Sequence, residues 1–78
     1  MTIASIKSAV VITPDDGNDL AGGATRGVYV GVSGDLAVDM EDGSTVTFVG
    51  LTAGVVHPLR VLRVYDTDTT ATDLVAMY

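Results

Sequence analysis

The chain has no cysteine and no tryptophan, one histidine, and four cationic residues against ten acids in 78 residues. Each scarcity removes a class of explanation. Without thiols no disulfide can form, and one imidazole cannot build a zinc site of the usual Cys/His kind. Aromatics make up 5% of the chain, few for the stacking surfaces that sugar-binding modules usually present. The cations Lys7, Arg26, Arg60 and Arg63 are scattered, so the basic stripe of a nucleic-acid binder is missing. A net charge of −6 argues equally against an anionic membrane surface. The apolar stretch from Met1 to Ile12 lacks a basic start, is broken by Lys7, and is too short for a membrane span, so it makes a poor signal peptide. This reads as a protein made and used in a cytoplasm, or assembled there into something larger. No window keeps a 3.6-residue period beyond about two turns, so helices are not expected.

What is present is apolar, β-branched sequence punctuated by glycine. The hydrophobic fraction is 47% and the mean hydropathy +0.43. At this length the chain is one domain, residues 1–78, whose core supplies only about 3–5 kcal/mol without a staple. With disulfide and zinc staples excluded, self-association or permanent attachment to a larger assembly is the one left. Surplus apolar residues point the same way.

The most informative stretch runs from Val28 to Phe48, three alternating runs separated by Val32-Ser33-Gly34 and Glu41-Asp42-Gly43. A three-residue hairpin loop commonly ends at positive φ, which glycine adopts without a Cβ clash. With Glu41-Asp42-Gly43 as the loop, Leu36 faces Phe48, Val38 faces Val46 and Asp39 faces Thr45. One side is then apolar and the other polar, as a half-buried sheet requires. A two-residue Asp42-Gly43 turn would set Asp39 against Val46 instead. Treating Val32-Ser33-Gly34 the same way pairs Val30 with Leu36 and Val28 with Val38. Gly34 and Gly43 are thus the turn glycines of a β-meander.

Around it, Ser8 to Thr13 reads as a first strand that stops at Pro14. An acidic loop of about a dozen residues follows, longer than a compact domain usually holds. Val55 to Pro58 resumes an extended chain, and Leu59 to Tyr65 is a strong strand with apolar residues at both parities, as if packed on two sides. Leu74 to Tyr78 is a terminal strand expected to pair. Six to seven short strands with glycine-rich turns make an all-β fold, a small antiparallel sandwich or barrel built on the meander.

No chemistry stands out. His57 has no evident nucleophile beside it. Asp15, Asp16 and Asp19 offer the oxygen ligands that calcium prefers, as do Asp66, Asp68 and Asp73, but neither loop follows the EF-hand spacing, and solvated turns are the plainer reading. Asp35 and Asp39 lie on the polar side of a strand and read as solvated rather than as a catalytic pair. The glycines at Gly22-Gly23 and Gly50 to Gly54 lack a following Lys-Ser/Thr, which excludes a phosphate loop. The expectation is therefore no enzyme, no catalytic residue, no cofactor and no metal. Arg60 and Arg63, set in the strong strand, are candidate subunit contacts, together with Tyr65 and Tyr78.

Read as a whole, residues 9 to 78 resemble the head spike base proteins, small virion proteins of tailed bacteriophages and gene transfer agents. The residues carrying the resemblance are Ala9 to Pro14, Thr25 to Gly31, Gly34 to Val38, Asp42-Gly43 with Thr45 to Phe48, and Ala53-Gly54. They continue through Pro58 to Val61 with Arg63-Val64, and through Thr69 to Thr72 leading into Val75-Ala76 and Tyr78. The resemblance implies a β-rich homo-oligomer seated at vertices on the outside of an icosahedral head, either carrying a fibre or decorating the shell. The acidic Asp15–Asp19 loop and Val55-Val56-His57 ahead of Pro58 depart from the pattern, and a decoration protein at another symmetry axis could share it. The leading expectation is a structural virion protein, assembled in a bacterial host cytoplasm. Its partners are itself, the major capsid protein and, where it carries one, a spike fibre; nucleic acid and membrane are not among them. A small carbohydrate- or ligand-binding β module is the alternative.

Overall fold

A computed structural model describes residues 5–78; the first four residues, where the stretch read for targeting begins, lie outside the described residues. Seven strands and no helix are found among the described residues: β1 (Ala9–Val11), β2 (Gly27–Val32), β3 (Gly34–Met40), β4 (Thr45–Leu51), β5 (Val55–His57), β6 (Val61–Val64) and β7 (Thr72–Met77). They form two antiparallel sheets, one in the order β1-β7-β2-β5 and one in the order β4-β3-β6. The architecture is a sandwich rather than a barrel. No helix among the described residues is long and apolar enough to cross a membrane.

The core lies between the sheets. Val28 and Val30 of β2, and Leu74 and Ala76 of β7, meet Leu36 and Val38 of β3 and Val61 and Val64 of β6, all fully or almost fully buried. Each pair is spaced by two or three residues, and alternation sends the residues between to the opposite face. Thr25 is the one buried polar side chain among the described residues. Its hydroxyl donates to Leu59 O at 2.7 Å and accepts from Val61 N at 3.1 Å, so it is fully satisfied.

The β3–β4 hairpin has the register that the turn arithmetic requires: Leu36 opposite Phe48, Ala37 opposite Thr47, Val38 opposite Val46 and Asp39 opposite Thr45. Gly43 sits at φ +91, and Gly43 N donates to Met40 O at 2.9 Å to close the turn.

The other half of the expected meander is corrected. β2 does not pair with β3; it pairs with β5 and β7, and β3 lies in the opposite sheet. Val28, Val30, Leu36 and Val38 do share one apolar interior, but they face each other across the sandwich instead of side by side. Gly34 is correspondingly not at positive φ. Its missing side chain leaves room for another segment: a Cβ there would lie 2.5 Å from Ala71 N and 2.8 Å from the carbonyl carbon of Thr70. Non-local packing, not turn geometry, requires this glycine.

β6 is corrected as well. It is shorter than Leu59–Tyr65, and its register against β3 shifts by one residue between Asp39 and Met40. The bulge turns both Val61 and Val64 into the core although they differ in parity. Apolar residues at both parities therefore reflect a bulged, one-sided strand, not one packed on two sides.

Candidate functional site

The two outer faces of the sandwich differ in chemistry. On the three-stranded sheet, Asp39 of β3 stands opposite Thr45 of β4 and Arg63 of β6. Its carboxylate accepts from the Thr45 hydroxyl at 2.6 Å and from the Tyr65 hydroxyl at 2.7 Å. These two bonds, Thr45 first, hold the Asp39 carboxyl below the ordinary carboxylate range, and the bond to Asp39 pushes the Tyr65 phenol up. The Arg63 guanidinium lies 5.8 Å from the centre of the Tyr65 ring. Arg63 Nε donates to Asp19 Oδ1 at 2.9 Å and Nη1 to Asp16 O at 3.2 Å.

The acidic loop is knitted into this network. Asp16 accepts from Asp66 N at 2.8 Å, from Thr67 N at 2.9 Å and from the Thr67 hydroxyl. The Thr67 side chain and then its backbone lower the Asp16 carboxyl. Asp15 accepts from the Asn18 amide at 2.9 Å and from Gly17 N at 2.8 Å, which lower it in that order. Of the carboxylates read as possible cation ligands, Asp16 ties the acidic loop to Asp66 and Thr67, Asp19 pairs with Arg63 and Asp15 closes its own turn. Among the described residues, no group of three His, Cys, Asp or Glu is arranged to hold a metal.

The other residues singled out in the sequence are spread over the molecule. Arg60 Nε pairs with Glu41 Oε2 at 3.0 Å, with both side chains more than half exposed. The Tyr78 ring lies over Gly22, where a Cβ would come within 2.5 Å of it, and its hydroxyl donates to Gly23 O at 3.3 Å. His57 Nε2 is 3.0 Å from Thr52 O; a carbonyl only accepts, so that nitrogen carries the proton. Asp35 accepts from Gly50 N at 3.0 Å. Of the four candidate contact residues, Arg63 and Tyr65 come together, whereas Arg60 and Tyr78 stand apart from them. All four have partners within the chain.

The four-stranded sheet presents a different surface. Because Val28, Val30, Leu74 and Ala76 face the core, the intervening residues face outward. The registers align Val11, Val75, Tyr29 and Val56 in one row across all four strands, and Ala9, Met77 and Gly27 in a second. Val56 leans over Gly27, where a Cβ would lie 2.7 Å from its Cγ1. Neither row contains a charge. An antiparallel sheet with one face in the core normally turns a polar face to water; this one instead turns outward a row that is exposed at Val11 and half-buried at Val75, Tyr29 and Val56. Sequence reasoning missed Tyr29, Val75 and Met77. Their signal was apolar residues at both parities in Gly27–Val32 and Thr72–Met77.

A cleft of about 260 Å³ opens between β1, the Asp15–Gly22 loop and Tyr78, lined mainly by Val10, Ile12, Leu20 and Val64. It falls below the roughly 300 Å³ at which small-molecule sites begin, and the polar side chains on its loop side, Asp15, Asn18 and Asp19, are engaged with Asn18, Asp15 and Arg63.

No known protein family matches the chain in a scan of family profiles, and no curated protein matches it. Among solved structures, it is similar to a protein in the capsid of a native gene transfer agent (GTA) particle computed with C5 symmetry. The identity is 37% and the TM-score 0.84, over 96% of this chain and 86% of that one.

Proposed function

We propose, because the chain belongs to the same family as that protein of the gene transfer agent capsid, that it is a structural virion protein. In this reading it is a homo-oligomeric spike base or decoration subunit on the outside of a phage-like capsid, with no catalytic role. The observation that carries the reading beyond kinship is the uncharged row Val11–Val75–Tyr29–Val56 on the outer face of the four-stranded sheet. A surface of this kind is kept from water by a partner. We assign it to the major capsid protein as the seat of the subunit. That leaves the polar face of Asp39, Arg63 and Tyr65 turned away from the shell, where a spike fibre would attach.

A virion protein binds a repetitive surface without an energy source. Many linked copies succeed with a modest contact each, because the first contact raises the effective concentration for the next. Arg60, Arg63, Tyr65 and Tyr78 enter this reading as contacts only through the parts their internal partners leave exposed. Arg60 leaves the most, 58% of its side chain against 25% for Arg63.

The test is addition of purified protein to capsids assembled without it, followed by sedimentation. The expected result is saturable, stoichiometric association, abolished by Val75→Lys. Folded wild-type protein that stays in the supernatant contradicts the reading.

A further inference from the structure

A sheet edge is a row of unanswered backbone donors and acceptors, and proteins protect such rows by shortness, charge, proline or a covering segment. Two of the four edges here are protected. The segment ahead of β2 covers β6, with Asp15 N, Leu20 N and Thr25 N donating to Val64 O, Leu62 O and Val61 O. β5 runs directly into Pro58, which has no backbone N–H to offer.

β4 is seven residues long and uncharged. The Met40 N to Ser44 O bond fixes which residues of β4 address β3, so the backbone groups of Thr45 and Thr47 point away from it, ahead of the register shift that falls between Phe48 and Leu51. Along β1, the Ser8–Tyr78 bonds and the Ile12 N to Leu74 O bond leave those of Ala9 and Val11 pointing outward. Among the described residues β4 pairs only with β3 and β1 only with β7, and none of these groups bonds to a turn or loop. The two most exposed large apolar side chains of the described residues also sit on these edges, Val49 at 79% and Val11 at 75%. The edges lie at opposite corners of the sandwich. Val64 of β6 lines the same cleft as Val10 and Ala76, so β6 lies beneath β1 and β7, while β4 lies toward β5.

We infer that β4 of one copy lies alongside β1 of the next, in parallel, so that copies join head to tail. This rests on the homo-oligomeric reading above. With Val11 beside Val46 of the neighbouring copy, Val11 N donates to Thr45 O and Thr47 N donates to Val11 O, and both rows are satisfied. Charge selects the parallel alignment: it sets Lys7 opposite Asp42, whereas an antiparallel one brings Asp15 and Asp16 onto the Glu41-Asp42 turn. The contact joins two different surfaces, so it closes into a ring if its rotation allows. Lateral contacts of this kind leave the apolar outer face of every copy free for the shell.

The experiment is the native mass of purified Val11→Lys, Thr47→Pro, which removes an edge N–H that faces away from β3, and their equimolar mixture, beside wild type. Both positions are exposed, so each variant should melt with wild type. The expected result is a wild-type multimer, two monomeric variants, and a two-subunit species in the mixture, because each variant keeps the edge that the other has lost. Lys7→Glu is expected to weaken the wild-type multimer at least about tenfold. Variants that stay multimeric, or a mixture that stays monomeric, overturn the head-to-tail contact while leaving homo-oligomerisation standing. An unchanged Lys7→Glu multimer overturns the parallel alignment. A monomeric wild type overturns the homo-oligomeric reading itself.

Discussion

The two outer faces of this sandwich are built to different degrees of completion. On the three-stranded sheet, Thr45 and Tyr65 donate to Asp39, the Arg63 guanidinium lies over the Tyr65 ring, and Asp19 neutralises the arginine. On the four-stranded sheet, Val11, Val75, Tyr29 and Val56 form an uncharged row whose one polar side-chain atom is the Tyr29 hydroxyl. The first face is finished within the chain. The second is finished only when something covers it. A small domain without disulfides can therefore place stability on one side and attachment on the other, and the two can be broken separately.

The largest effect is expected where both faces share a support. Gly34 lies at the crossing from one sheet to the other, with Thr70 and Ala71 against it. Gly34→Val should cost about 3 kcal/mol, because the obstructing atoms are backbone and cannot step aside. Thermal melting checks this, and a change under about 1 kcal/mol would show that the close approach is not required. Gly43→Val should cost less, about 1–2 kcal/mol, since Gly43 is at φ +91 with open space around it and only backbone strain opposes the side chain. An unaltered melting temperature would contradict the three-residue turn.

Asp39→Ala sharpens the contrast directly. It leaves the Thr45 and Tyr65 hydroxyls without their acceptor and should lower the melting temperature by less than Gly43→Val does, while capsid binding is unchanged. Loss of binding with an unchanged melting temperature would reverse the roles assigned to the two faces. Acid acts on the same side of the molecule. Asp15, Asp16, Asp39 and Asp42 are all held below their ordinary values by hydrogen bonds. Their contribution is complete above the unfolded value, about pH 4, and is lost as pH falls through the folded values. Melting temperature should therefore drop as the pH falls below about 4. A flat profile there would mean that these bonds do not stabilise the folded chain.

The β3–β4 hairpin was legible in the sequence because everything that sets it is local: a turn glycine and a period-two pattern that reads correctly in only one register. The Val32-Ser33-Gly34 segment carries a similar turn signal, yet its glycine answers to Thr70 and Ala71, more than thirty residues away. Residue spacing does not reveal that. The bulge in β6 hid a one-sided strand behind an apparent two-sided one, since one added residue exchanges the faces. The apolar attachment face depends on β2 lying between β5 and β7, a pairing of segments distant in sequence. The surplus of apolar residues foretold that some surface had to be covered; only the sheet order shows which.

The central claim is that the outer face of the four-stranded sheet is covered on the particle and the face of Asp39 and Tyr65 is not. Hydroxyl-radical labelling of free and particle-bound protein tests it most directly, because Tyr29 and Met77 report on one face and Tyr65 on the other. The account predicts that Tyr29 and Met77 become protected on the particle while Tyr65 labels as before. Protection of Tyr65 with continued labelling of Tyr29 and Met77 would contradict it.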